Sequence, residues 1–244
     1  MADVLIFCHN NFMIDSDNLS RNFISSGLMN LLRIILGIVI IYYIVERSLF
    51  SWNKEIPSIY FFTIQSNLIL AIYWILSPLV RKKSHPVFSL VVTTNMVITG
   101  SIFIMLIDEG FTDKLYLMLE NKIISSMVHY ISMASSIITH YMMPALALLD
   151  FLVFVDLGTL KPGRKIFVLI YPICYFIFHL IYSSLSGNFI YPFFDPDFVG
   201  GNVLVVLLTL GMVAAVFLIG IGLVALNRLV QGRISHYFKK LLQN

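Results

Sequence analysis

Thr63 and His140 are the two residues of this chain whose types and setting point to chemistry. Each is a polar, reactive side chain inside an apolar stretch long enough to cross a membrane. A threonine hydroxyl becomes a useful nucleophile when a neighbouring base takes its proton. Neutral imidazole is such a base at physiological pH. The pair suggests acyl transfer, in which Thr63 attacks an ester carbonyl and His140 moves the proton to the leaving alcohol. Water then releases the acyl group. The bland alternative is that Thr63 bonds its own helix or serves as a helix–helix contact. Histidine inside a membrane is costly enough to be a functional hypothesis by default.

Composition and hydropathy say what must hold the pair. Of 244 residues, 59% are hydrophobic and 12% charged, and the mean hydropathy is +0.89. Soluble domains carry about 25% charged residues, so lipid is the expected solvent. Apolar runs occupy 28–50, 59–80, 87–107, 123–155, 166–185 and 203–226. Each is close to or above the ~20 residues of a spanning helix. Their continuous aliphatic character favours helices over the alternating strands of a barrel. The expected fold is all-α, a single transmembrane domain over 1–244 built as a polytopic six-helix bundle.

Arg21, Arg81-Lys82-Lys83, Lys161, Arg164, Lys165, Arg228, Arg233, Lys239 and Lys240 fall on one side of that bundle, and Arg33 can snorkel to it. Positive charge stays cytoplasmic, which puts both termini inside. Lys54, Lys114 and Lys122 fall on the other side, as does Arg47. In a bacterium the expected location is the cytoplasmic membrane. The opening residues lack a basic start and carry Asp3, Asp15 and Asp17, so they read as a polar lead-in and not as a cleaved signal.

Within this frame Thr63 lies about four residues below the outer end of the second run, roughly 6 Å. Counting back about 20 residues from Val155 puts the outer boundary of the fourth run near Ser135. His140 is then roughly 8 Å deep, level with Thr63. Pro144 stands four residues after His140, lacks an N–H and clashes with the His140 carbonyl. The helix is expected to break there and free that carbonyl. Thr63, Ser66 and Asn67 share one helix face. Ser66 and Asn67, with Gln65 further round the helix, are the candidate oxyanion or substrate-binding groups.

Other polar residues receive weaker expectations. His179, His129, Asp195 and Asp197 can orient or cover His140 only if the fold brings them there. Asp150 is about 15 Å along the helix from His140 and is expected to meet a polar group near the inner interface. Phe189, Tyr191, Phe193 and Phe194 are expected to anchor the outer loop at headgroup level in preference to covering a pocket. Gly220 and Gly222, with Gly211, are expected to permit close helix approach.

Three stretches carry a family resemblance. They are Phe61-Phe62-Thr63-Ile64-Gln65-Ser66-Asn67-Leu68, then His140-Tyr141-Met142-Met143-Pro144 with Leu149-Asp150-Phe151, and Tyr191-Pro192-Phe193-Phe194-Asp195-Pro196. Together they resemble the signature stretches of the androgen-induced and androgen-dependent membrane hydrolases and their bacterial relatives. The resemblance implies a threonine nucleophile at Thr63 and a histidine base at His140. It implies a lipid-like ester as substrate, of the kind that fatty acids form with hydroxy fatty acids. Phe151 stands where many relatives carry tryptophan.

Several classes are disfavoured. The chain has no Gly-x-Ser-x-Gly elbow, no His-Glu-x-x-His zinc motif and no Walker lysine loop. Cys8 and Cys174 make neither a disulfide framework nor a zinc cluster. No metal, cofactor or nucleic-acid partner is expected; membrane lipids and the ester substrate are. The competing classes are a transporter with His140, Asp150, Ser132, Ser135 and Ser136 along its path, and a non-catalytic membrane protein. The first lacks a detectable inverted repeat.

Overall fold

The computed structural model describes residues 27–51, 56–78, 86–107, 134–158 and 160–243. Residues 1–26, the Arg81-Lys82-Lys83 block, Lys54, Lys114 and Lys122 lie outside them. So do 123–133, with His129 and Ser132. The described residues are helical with no strand, and five helices are long and apolar enough to cross a membrane. Helix α1 (Gly27–Ser51) turns Leu28, Leu31, Ile35, Ile38, Tyr42, Val45 and Leu49 outward, at steps of three or four residues. Ile40 and Ile44 on its other side are buried. An apolar stripe this long left uncovered belongs against lipid, not water.

Helix α2 (Phe62–Leu76) starts later than the expected 59. Pro57 leads into a 3-10 turn, Ser58–Tyr60, and Phe61 is extended with φ −73° and ψ 137°. Thr63 is therefore a first-turn residue, next to backbone N–H groups that have no carbonyl of their own helix to meet. Helix α3 (Pro86–Ile102) opens on proline, which suits a first helical position. It is the central helix: 61% of its apolar stretch is buried, against 17% for α1. Its polar residues Ser89, Thr93, Thr94, Asn95 and Thr99 are all turned inside. It runs on into a π-helical turn, Phe103–Ile107.

Where it is described, from residue 134 on, the fourth span is helical, and it ends as helix α4 (Met143–Phe154). Pro144 does break it. The break takes the form of a π turn, Ile138–Met142, closed by the Met143 N–H on the Ile138 carbonyl. π turns relieve a lost i→i−4 bond by inserting one residue, and they recur at functional sites. The His140 carbonyl, displaced by the Pro144 ring, faces Gly100 of α3. A Cβ at Gly100 would stand 3.3 Å from that oxygen and 3.2 Å from Pro144 Cβ, so glycine is what lets the two helices meet here.

Helix α5 (Ile170–Ser186) follows a 3-10 helix, Pro162–Leu169, so most of the basic segment expected as an inner loop is already helical. It ends at Gly187, left-handed at φ 72°, whose N–H closes on the Ser183 carbonyl. Helix α6 (Asn202–Gln243) has 42 residues and continues beyond 226, where the expected spanning stretch ends. At ~1.5 Å per residue it is about 63 Å long, so its C-terminal part projects beyond the ~30 Å hydrocarbon layer. Gly220 packs beneath Val168, where a Cβ would come within 3.0 Å; Gly211 and Gly222 meet nothing within 4 Å, contrary to expectation.

Two long-range contacts fix the inner half. Arg33 does not snorkel: its Nε and Nη2 donate to Asp150 Oδ1 at 3.0 and 2.7 Å, and Trp74 Nε1 donates to Oδ2 at 3.1 Å. The last carbonyls of α4, orphaned where Val155 turns extended, are taken by α6. Asn227 Nδ2 donates to Phe151 O at 2.7 Å and Val155 O at 3.0 Å. Gln231 Nε2 donates to Leu152 O and Val153 O, each at 2.8 Å. Asn227→Leu should therefore lower stability by about 1–3 kcal/mol, since it strands buried acceptors. Thermal unfolding in detergent checks this; an unchanged midpoint would mean that water satisfies those carbonyls.

Candidate functional site

Asn67 ties the two signature stretches together. Its Nδ2 donates to the Thr63 carbonyl at 2.9 Å and to the Thr139 carbonyl at 3.1 Å. The residue next to His140 is thereby held one turn below Thr63. The amide is spent on this brace, so Asn67 offers no free donor to an oxyanion. Gln65 is also committed: its Nε2 donates to Ile59 O at 3.0 Å and its Oε1 accepts from the Tyr171 hydroxyl at 3.2 Å. Ser66 Oγ is buried facing Tyr171, outside hydrogen-bond geometry. Asn67 and Gln65 thus tie segments together, Ser66 Oγ has no hydrogen-bond partner among the described residues, and none of the three lines the cavity described below.

The His140 ring is fixed from its own helix. Its Nδ1 lies 2.9 Å from Ser136 O and 3.0 Å from Thr139 Oγ1. The Thr139 hydroxyl donates its proton to Ser135 O at 2.7 Å, so it can only accept from the imidazole. Both contacts therefore require hydrogen on Nδ1, which leaves the Nε2 lone pair as the basic site of the neutral ring. Of the residues expected to orient it, His129 lies outside the described residues, and neither His179 nor Asp195 is turned to the His140 ring. His179 packs on Phe194 with ring centroids 4.4 Å apart, and Asp195 caps its own loop by accepting from Asp197 N at 2.9 Å. Arg47 reaches the same end of the bundle, donating to Ser136 Oγ at 3.3 Å.

Thr63 lines an apolar cavity of about 70 Å³. Its walls come from α3 (Ile98, Thr99, Ile102), the π-turn residue Phe103, α5 (Pro172, Tyr175, Phe176), α6 (Thr209, Met212, Val216) and the outer loop. Phe103 touches both halves of the site: it is on the cavity wall with Thr63, and its ring lies on the His140 imidazole at 4.0 Å. Among the described residues no direct Thr63–His140 hydrogen bond is formed.

The loop that carries Tyr191 folds onto the bundle and covers a pocket, the less expected of its two arrangements. Tyr191 and Phe194 are buried, and Tyr191, Phe193 and Phe194 all line the cavity. The Tyr191 hydroxyl accepts from the Phe62 N–H at 3.2 Å and lies against the hydroxyl and amide of Thr63. It thus supplies from a distant loop the cap that α2 lacks in its own sequence. Burial pushes the Tyr191 phenol up to about 12, so it keeps its proton. Sequence reasoning missed this role, although the motif around Tyr191 had been singled out; an apolar aromatic run gave no sign of where its hydroxyl would land.

Fold and site together define a class: an all-α bundle of long apolar helices with a braced threonine and histidine near one end. Compared with protein-family models, curated proteins and solved structures, the chain matches none of them.

Proposed function

We propose that the protein is an integral membrane hydrolase of lipid-like esters, with Thr63 as nucleophile and His140 Nε2 as base. On this reading six helices span the bilayer with both termini cytoplasmic, and the site lies near the opposite face. The exposed Lys161, Arg164, Arg228 and Arg233 at the other end of the bundle support that orientation. The observation that carries the function is the setting of Thr63: a first-turn hydroxyl on a cavity wall, braced through Asn67 to the segment that holds His140.

Thr63 Oγ attacks the ester carbonyl while its proton passes to Nε2, directly or through one water. The same proton then goes to the leaving alkoxide, and water cleaves the acyl-threonine. Negative charge develops on the carbonyl oxygen beside the N-terminus of α2, where backbone N–H groups and the helix dipole favour an anion. The Thr63 amide and the Tyr191 phenol are the donors. The cavity admits a small group but not an acyl chain, so a lipid-like substrate needs the Tyr191–Phe194 segment and Phe103 to move aside. Asp150, the acid that a transport path called for, is occupied by Arg33 and Trp74.

The test is release of fatty acid from lipid esters by the purified chain in nanodiscs. Hydrolysis supports the reading; intact esters alongside solute flux in liposomes would replace it with transport. Tyr191→Phe should lower kcat by roughly 10²-fold or more if the phenol stabilises the oxyanion. Steady-state kinetics on the folded variant checks this, and parent-level kcat would leave Tyr191 only a packing role.

A further inference from the structure

Behind Thr63 the bundle holds a second feature that the hydrolytic pair does not use. Asn67 Oδ1, Asn95 Nδ2 and Oδ1, Thr99 Oγ1 and Ser135 Oγ are all buried without a hydrogen-bond partner among the described residues. The residues that carry them are at most 2% exposed. Their neighbours show that partners are attainable in these helices: Thr94 bonds the carbonyl of Leu90, and Thr139 that of Ser135. Unpaired polar atoms in a lipid-embedded interior are unfavourable, and such clusters are characteristically satisfied by ordered water.

These atoms share a location. α2 and α3 are antiparallel neighbours, and the Tyr73 hydroxyl bonds Ser89 Oγ near their inner ends. Thr63 and Thr99 line one cavity near their outer ends. Each step along α2 is matched by a step back along α3, so Asn67 and Asn95 are level, one turn below Thr63 and Thr99. The Asn67–Thr139 and Trp74–Asp150 hydrogen bonds together set the fourth span parallel to α2, which brings Ser135 level with Thr63. Unpaired donors and acceptors of three helices thus lie at the level of the nucleophile and one turn below it, with Thr99 at the cavity wall.

We propose that Asn67, Asn95, Thr99 and Ser135 form a binding site for ordered water, and that this water completes the reaction at Thr63. The second part rests on the hydrolase reading; the first does not. The apolar cavity gives a water molecule few partners. The polar flank supplies them. In the release step the water oxygen bonds to the acyl carbon, and one of its protons goes to His140 Nε2. The bond from acyl carbon to Thr63 Oγ then breaks, and His140 returns the proton to that oxygen.

Two measurements separate the parts. Water-edited solid-state NMR of the full chain in bilayers should give rapid polarisation transfer from water to the Asn95 side-chain amide. Its absence overturns the site whatever the protein catalyses. Thr99→Val and Asn95→Leu take partners from that water while replacing polar atoms that bond no other protein group among the described residues, so both variants should still fold, which thermal unfolding checks. With an ester substrate they should accumulate acyl-Thr63 by intact mass while turnover falls by on the order of 10²-fold. Parent-rate turnover without accumulation, or loss of acylation and turnover together, overturns the role in release. A parent chain that never acylates Thr63 sinks the hydrolase reading but leaves the NMR result standing.

Discussion

Thr63→Ala should leave a folded protein that hydrolyses esters at least about 10³-fold more slowly than the parent. The fold should survive because the helix-bracing bond from Asn67 goes to the Thr63 carbonyl, not to its hydroxyl. What disappears is the oxygen that attacks. His140→Ala should produce a loss of the same class, since without a base the hydroxyl is a poor nucleophile. Groups that act as one unit are strongly non-additive, so the double variant should be little worse than either single one. Initial rates of fatty-acid release by matched, folded preparations decide this. Additive losses would mean that the two residues act independently, and the catalytic pair would be wrong.

The second large effect concerns stability. Asp150→Ala should destabilise the bundle by about 3–5 kcal/mol, because it leaves the Arg33 guanidinium uncompensated in a largely buried setting. Arg33→Met should be comparably harmful, as it strands the carboxylate against the Trp74 indole alone. Arg33→Met combined with Asp150→Leu should recover most of the loss, since apolar replacement of a whole buried pair is often neutral. Thermal or denaturant unfolding of the three variants tests the cycle. If the double variant is as unstable as the sum of the singles, the pair contributes net stability and the desolvation argument fails here.

What the sequence made legible, and what it did not, follows from how lipid acts on a chain. Length and hydropathy report which segments cross, and counting inward from basic loops reports depth. That is why the irregular turn before Pro144 was visible, and why Thr63 and His140 were expected at one level. Hydropathy says little about which way a residue faces around a helix. Arg33 looked like a snorkelling cation because its expected depth allowed it; only the packing of α1 on α2, which carries Trp74, turns it toward Asp150. Ser66, Asn67 and Gln65 shared a plausible stripe, yet each is turned to a neighbouring helix.

Contacts across many residues were the least legible. Nothing local to Asn227 and Gln231 announces that they will satisfy the end of a helix more than 70 positions earlier. Tyr191 is the functional counterpart. Its aromatic neighbourhood suggested an interfacial belt, and the outcome was decided by the uncapped start of α2, which needed an acceptor that its own sequence did not provide. The length of α6 was not legible either, because charge marks where lipid stops and not where a helix does.

Labelling with a hydroxyl-reactive fluorophosphonate, followed by peptide mass mapping, bears most directly on the nucleophile. A single adduct on Thr63, weaker in His140→Ala and missing from Thr63→Ala, is the predicted result. An adduct on another side chain, or undiminished labelling once that methyl-bearing alcohol is gone, contradicts the claim that α2 presents the attacking oxygen.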